Sequence, residues 1–385
     1  CGIPVDGLTP GERRNEIYGR LAAIRALSSG VRALYSAGFH PKPTFQRLTK
    51  RAFMSEPKFD VAGIGNAIVD VISEGTDEFL TANRVEKGAM TLIDEDRATE
   101  LYGVMGSAIE VSGGSCGNTI AGLAALGGTA AYIGKVRDDQ LGQVFTHDIR
   151  ALGVDFTTTP ATNGPATARC LIVVTPDAQR SMSTYLGAAG GLTPDDVPED
   201  LIKASAITYM EGYLWDPPGA KEAFLKAAGI AHSAGRLVSL TLSDSFCVDR
   251  FRTEFRELAK DEVDILFANE DEIMSLYEVD TFDAALQSVR KDCKFAALTR
   301  SEAGSVIVAD GEVHVVGAEP VSKVLDTTGA GDLYAAGFLY GLSKGADPVP
   351  CGRLGSIAAA EAISHYGARP QADLKALVKD KGLAV

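Results

Sequence analysis

The feature that most restricts how this chain can fold is the rhythm of its second half. Short apolar runs near Ala206–Met210, Leu237–Leu242, Ile265–Ala268, Phe295–Thr299 and Ser305–Val308 alternate with helical patterns near Gly219–Ser233, Asp249–Ala259, Asp271–Leu276 and Phe282–Arg290. Strands of this kind belong inside a sheet covered on both faces, and an intervening helix carries the chain back for a parallel pairing. The pattern predicts an α/β fold with a mainly parallel central sheet. Upstream, Phe59–Gly65 and Ala130–Val136 read as further strands, and Asp139–Leu152 as an amphipathic helix ending at Gly153. Asp94 is placed to cap a helix over 94–105. Ala168–Val174 and Ser181–Tyr185 alternate like paired strands around the turn at Pro176-Asp177.

Open sheets of this class bind ligands at the carboxyl ends of their strands. The stretch most suited to such a place is Asp326-Thr327-Thr328-Gly329-Ala330-Gly331-Asp332, which runs directly into a series of good helix formers. Gly329 and Gly331 permit a tight turn, and the helix they open presents unpaired amides and the positive end of its dipole. The amides of Gly329, Ala330 and Gly331 therefore form a candidate anion hole, suited to phosphate. Asp332 admits two readings: compensation of the helix dipole, or a general base that takes a proton from a hydroxyl attacking a phosphoryl group.

Two more segments carry polar groups where a ligand would sit. Asn66 and Asp70 follow the strand ending at Gly65 and can bond the vicinal hydroxyls of a sugar; a turn Asn and a solvated Asp explain them equally well. Gly113-Gly114-Ser115-Cys116-Gly117-Asn118 precedes a helix of small residues. Close helix packing accounts for these glycines, and so does a backbone that approaches a substrate with Asn118 aimed at it. Two familiar phosphate motifs fail. Gly63-Ile64-Gly65 lacks its third glycine, since Ile68 stands there, and Gly128 to Lys135 ends on Val136 instead of Ser or Thr.

Composition narrows the function class. A formal charge of −14 over 385 residues argues against a nucleic-acid surface, though not against a nucleotide pocket. No apolar run approaches the roughly 18 residues of a membrane span. Six cysteines without paired spacing read as reduced thiols and point to the cytoplasm, and none of the five histidines is spaced as a metal-ligand pair. Residues 1–53 differ from the rest, with nine basic against three acidic residues. They read either as an organelle transit peptide, with import as the consequence, or as an extension preceding a true start at Met54. Either way the expected fold occupies residues 54–385.

Taken together, the Gly113-Gly114 segment with Asn118 and the Asp326–Asp332 motif resemble the two signatures of the ribokinase or PfkB family of carbohydrate and nucleoside kinases. Asn269-Glu270-Asp271-Glu272 is similar to that family's Asn-x-x-Glu motif; by itself it reads as a capped helix start. Three segments resemble the adenosine kinase branch: Gly65–Asp70, Leu242–Phe246 and Val263–Glu270. Ala67 replaces a proline, and Arg137 stands where the family often has glycine.

The resemblance implies a ribokinase-like three-layer sandwich with a small β lid from about 71–93 and 166–186. It implies ATP-dependent transfer of the γ-phosphate to a primary hydroxyl, the ribose 5′-OH of a nucleoside, with adenosine foremost. Ribose, fructose, inosine and guanosine are the alternatives, followed by a nucleoside-binding protein without turnover. It assigns Asp332 as base, Asn66, Asp70, Gly114 and Asn118 to the substrate, and Thr299, Arg300 and Gly304 to ATP. Asn269 and Glu272 would organise Mg²⁺ through water. A monovalent cation is admitted, as are a monomer and a homodimer.

Overall fold

The computed structural model describes residues 56–383 except Ala178; the extension at 1–53 lies outside them. Fourteen strands form two sheets: β1 (Phe59–Ile64), β2 (Ile68–Glu74), β3 (Met90–Leu92), β4 (Ala108–Gly113), β5 (Ala130–Ile133), β6 (Asp155–Phe156), β7 (Ala168–Val174), β8 (Arg180–Tyr185), β9 (Ser205–Glu211), β10 (Leu237–Thr241), β11 (Ile265–Asn269), β12 (Phe295–Thr299), β13 (Ser305–Ala309) and β14 (Glu312–Val316). The main sheet has nine strands in the order β14-β13-β12-β11-β10-β9-β1-β5-β6. All neighbours from β12 to β6 run parallel, and only the β12–β13 and β13–β14 pairs are antiparallel.

The period-two geometry of a strand sends alternate side chains to opposite faces. Ile265 and Phe267 enter one buried cluster with helices Ser115–Ala125, Ala330–Ser343 and Pro348–Ala362. Leu266 and Ala268 enter another with helices Pro218–Ser233, Ser245–Asp261 and Phe282–Asp292. Helix, sheet and helix thus make three layers, as the strand–helix alternation requires. The expected cap at Asp94 is in place, and Asp139, read as the first helical residue, is itself a cap; each accepts a backbone N–H of its first turn. Among the described residues no helix is long and apolar enough to cross a membrane, and the described cysteines are buried.

The second sheet has five strands, β3-β8-β7-β2-β4, and forms the lid of a ribokinase-like fold. Its edge strand β4 falls outside the expected lid segments. Burial along that strand rises from its exposed start to its buried end without alternating, and Ile109 is left 71% exposed, so its pattern resembles surface loop. β1 is followed by β2 and not by a helix, in keeping with the failed dinucleotide fingerprint. The chain therefore leaves the main sheet at Asn66 and enters the lid two residues later. Asn66 and Asp70, expected together at one strand end, stand on a connection and on a lid strand respectively.

Candidate active site

The carboxyl ends of β1, β9, β11 and β12 open toward the same edge of the main sheet, and polar side chains gather there. At its centre is Asp332, in the first turn of the Ala330–Ser343 helix. Gly329, the N-cap, adopts φ +78° and lends no side chain to the cap. A Cβ at Gly329 would come 2.6 Å from the Ala368 methyl, so the loop needs glycine for space as well as for conformation. At Gly331 an added Cβ would meet nothing within 4 Å. Gly331 is exposed, and glycine is not needed there for space. The Ala330 amide is turned back to the Thr327 carbonyl at 3.2 Å, so of the three assigned amides it is already engaged.

Two residues from the other glycine segment orient the Asp332 carboxylate. The Ser115 hydroxyl donates to Oδ1 at 2.6 Å, and the Asn118 amide donates to Oδ2 at 3.0 Å. Asn118 is 6% exposed, and its Oδ1 is buried with no hydrogen-bond partner. A hydroxyl donor would satisfy it. Withdrawal from solvent pushes the Asp332 pKa up to about 6, against those two hydrogen bonds and the charge of Arg369. At neutral pH the group is then mostly ionised and still basic enough to accept a proton.

Gly114 caps the Ser115–Ala125 helix with φ +81°, and a Cβ there would come 2.5 Å from the Asn66 carbonyl. A Cβ on Gly113 would overlap the Asp70 carboxylate. Burial raises the Asp70 pKa to about 6, opposed by Arg369 and Arg180. The glycine pair thus makes room for Asp70 and shapes the turn, so close packing and access for a ligand both apply to it.

Asn66 is 2% exposed and turned inward, its amide donating to Glu211 Oε1 at 2.7 Å. Glu211, at the end of β9, takes the Cys116 N–H on its other oxygen at 2.9 Å. It therefore ties the Asn66 connection to the start of the Ser115–Ala125 helix. Burial pushes its pKa up to about 7. Sequence reasoning missed Glu211 because it reads as one more residue beyond an apolar strand; the missed signal is an acid at a strand's carboxyl end. Ser115 has no role of its own in the sequence pattern, and Arg180 and Arg369 belong to no local motif. Arg180 on β8 pairs with Asp326 at 2.7 Å, with both side chains under 9% exposed. Asp326 also accepts the N–H groups of Thr328 and Gly367, each at 2.9 Å. The first residue of the glycine loop thus joins it to the lid and to the C-terminal segment.

The residues assigned to ATP and Mg²⁺ lie along the same edge. Asn269 and Thr299 are register partners at the ends of β11 and β12. Arg300 forms a forked pair with Glu270 at 2.9 and 3.0 Å. Gly304 has a packing reason of its own, since a Cβ there would overlap the Val316 carbonyl. Asn269 and Glu272 form a reciprocal capping box. Glu272 takes the Asn269 amide at 2.6 Å and its N–H at 3.0 Å, so the carboxylate is spent on the turn through one lone pair per oxygen. The remaining lone pairs suit a hydrated ion better than direct ligation. Burial raises the Glu272 pKa to about 7, and the charge of Asp332 adds to the shift, which places the two groups within electrostatic reach.

Comparisons with known proteins agree with this geometry. A probable sugar kinase from Rhizobium etli is 54% identical, covers 85% of this chain and 99% of its own, and superposes with a TM-score of 0.79. An adenosine kinase from Sinorhizobium meliloti is 55% identical over 84% of this chain and 99% of its own, with a TM-score of 0.78. The adenosine kinase of Saccharomyces cerevisiae is 27% identical over 79% of this chain and 94% of that protein. The profile of the pfkB family carbohydrate kinases matches residues 90–374. With both signatures meeting at Asp332 and the lid sheet beside it, the chain belongs to the pfkB family of carbohydrate kinases, phosphotransferases that act on an alcohol group.

Proposed function

We propose that this kinase phosphorylates the 5′-hydroxyl of adenosine at the expense of ATP. The observation that carries the choice of acceptor is the 55% identity to the Sinorhizobium meliloti adenosine kinase. The likenesses at Gly65–Asp70, Leu242–Phe246 and Val263–Glu270 support it.

In this reading Asp332 is the base. Its carboxylate, held by Ser115 and Asn118, takes the proton of the acceptor hydroxyl. The freed oxygen bonds to the γ-phosphorus as the bond to the bridging β–γ oxygen breaks, releasing ADP. Phosphoryl transfer of this kind relies on alignment and charge neutralisation more than on covalent chemistry. The backbone at Gly329–Gly331 and the uncapped helix dipole meet charge on the transferred group. Asn269 and Glu272 would hold a magnesium ion through its water shell, and the ion would supply counter-charge to the phosphates. Asp70 and the unsatisfied Asn118 Oδ1 receive ribose hydroxyls, Gly114 shapes the wall, and Asn66 holds the connection through Glu211. Thr299, Arg300 and Gly304 border the nucleotide. The lid sheet keeps out water that would compete as acceptor.

A sugar acceptor is the second reading, favoured by the nearly equal identity to the Rhizobium etli probable sugar kinase. A panel of adenosine, inosine, guanosine, ribose and fructose with ATP and Mg²⁺ separates the two. Adenosine should lead in kcat/KM by at least about tenfold, roughly 1.4 kcal/mol in transition-state binding. Ribose or fructose matching it would replace adenosine with the free sugar.

A further inference from the structure

Arg369 lies in the segment that follows the Pro348–Ala362 helix, and neither signature of the family includes it. Its Nη2 donates to the Ser112 carbonyl at 2.5 Å and to Ser112 Oγ at 3.0 Å. Ser112 is itself fixed, since its N–H and hydroxyl both donate to Asp148 Oδ2, at 2.8 and 2.6 Å. The same Nη2 lies 3.7 Å from where a Cβ on Gly117 would stand, which places the guanidinium under the first turn of the Ser115–Ala125 helix. The remaining nitrogens, Nε and Nη1, are buried and make no hydrogen bond among the described residues. A guanidinium does not give up its proton, so a buried one with unspent N–H groups needs negative charge nearby.

Asp148, behind Ser112, provides part of that charge, and two carboxylates of the acceptor site provide the rest. Asp70 presses against Gly113, the residue after Ser112. Asp332 is bonded to Ser115 and Asn118, in the same helical turn that covers the guanidinium. We propose that Arg369 is the internal counter-ion of the acceptor site, a positioning residue whose fixed charge keeps Asp70 and Asp332 ionised beside each other and so keeps Asp332 competent as a base. The inference rests on the reading of Asp332 as base.

The electrostatics agree. Each carboxylate is raised by burial, and Arg369 is the foremost charge that lowers Asp70 and also lowers Asp332. The charge of Asp332 in turn raises Asp70. Other groups face the trio. Arg180 from β8 and Cys170 from β7 face Asp70, and Asp148 and Tyr132 face Arg369. Cys116, Tyr209 and Tyr213 face Asp332, as do Glu211 and Glu272. The thiols and phenols are pushed up by burial and stay neutral near pH 7. Glu211 and Glu272 titrate in the range of interest, so the test must subtract them. His365, in the same C-terminal segment, is turned to Glu361 at 3.1 Å.

The test is thermal unfolding of the full chain between pH 5 and 8, without substrate. It compares wild type with Arg369→Met and Arg369→Lys, and Arg369→Met is repeated in an Asp70→Asn, Asp332→Asn background. Below the pKa of both carboxylates the guanidinium has no ionised partner among them, so Arg369→Met should cost little. Above it the wild type keeps its counter-ion and the variant does not. The deficit in Tm should therefore widen as pH rises through about 6. Arg369→Lys should restore much of it, and in the double-Asn background the widening should vanish. Should Arg369→Met fail to fold at pH 8, folding at pH 5 or rescue by the two Asn substitutions would equally support the counter-ion role. A deficit of constant size across the range, a widening that survives both Asn substitutions, or a variant unfolded in every condition would overturn the proposal. No turnover is measured, so a negative substrate panel would reject the adenosine reading and leave this result standing.

Discussion

Replacing Asp332 with Asn separates its two readings because the structure gives them opposite signs. Asp332→Asn preserves shape, and Ser115 can still donate to the remaining oxygen. The new NH2 would face the Asn118 NH2; a flip of Asn118 turns its oxygen to the new amide and moves its own NH2 to the buried place where Oδ1 has no protein partner. The variant therefore leaves one amide donor without a protein partner in the free enzyme. Burial raises the wild-type pKa from 3.8 to about 6. A carboxyl whose folded pKa lies above its unfolded value contributes stability below the unfolded pKa and loses it as pH rises through the folded one. A change of that size corresponds to about 3 kcal/mol as an order of magnitude, a penalty absent below about pH 4 and complete above about pH 6. The neutral amide escapes that penalty, offset in part by about 1–3 kcal/mol for the unpaired NH2, so at about pH 7.5 the variant should melt at or slightly above wild type. Its kcat should fall by about 10²–10⁴-fold with loss of the base, and ATP affinity should hold or improve as repulsion toward the γ-phosphate is relieved. Were Asp332 only balancing the helix dipole, the variant would lose about 0.3–1 kcal/mol and keep its turnover. Measuring kcat and Tm on one preparation decides the matter. Turnover within a few-fold of wild type would refute Asp332 as base and end the mechanism built on it.

Other expectations concern the acceptor. Asp70→Ala removes charge-assisted hydrogen bonds worth about 1.5–3 kcal/mol each, so the acceptor KM should rise more than tenfold while the ATP KM stays near its original value; an unchanged acceptor KM would remove Asp70 from the site. Glu211→Gln can accept from Asn66 or from Cys116 but turns an N–H on the other, so it too should raise the acceptor KM and spare the ATP KM. Equal changes in both constants would indicate general loosening instead.

The fold was readable because its main constraint is local. Each strand from β9 to β13 is a short apolar run, and three of the helices between them start at a capping side chain, Asp244, Asn269 and Thr281. The glycine loop at Gly329–Gly331 was readable for the same reason: glycine chemistry is written in consecutive residues. What escaped was the part assembled across the chain. Asn66 and Asp70 are close in sequence, yet the connection between them leaves one sheet for another, which no periodicity records. Glu211 and Arg369 lie far from either signature and become site residues only because β9 lies beside β1 and the C-terminal loop closes against Gly329. Asn118 stood out in the sequence as a candidate ligand group, but its bond to Asp332 spans 214 positions.

That last separation bears on how the protein is made. The chain leaves the ribosome N-terminus first, and domains tend to fold in that order. Here Asn66 and Ser115 emerge early, the Gly329–Asp332 loop late, and the Gly367–Arg369 segment that braces it later still. A nascent chain can pair its lid strands and shelter Asn66 with Glu211 long before Asp332 has been synthesised. Contacts of such long range also slow the final closure. Phosphoryl transfer should thus be the last property this chain acquires during synthesis, and loss of the segment from Gly367 onward should silence it with every motif residue still present.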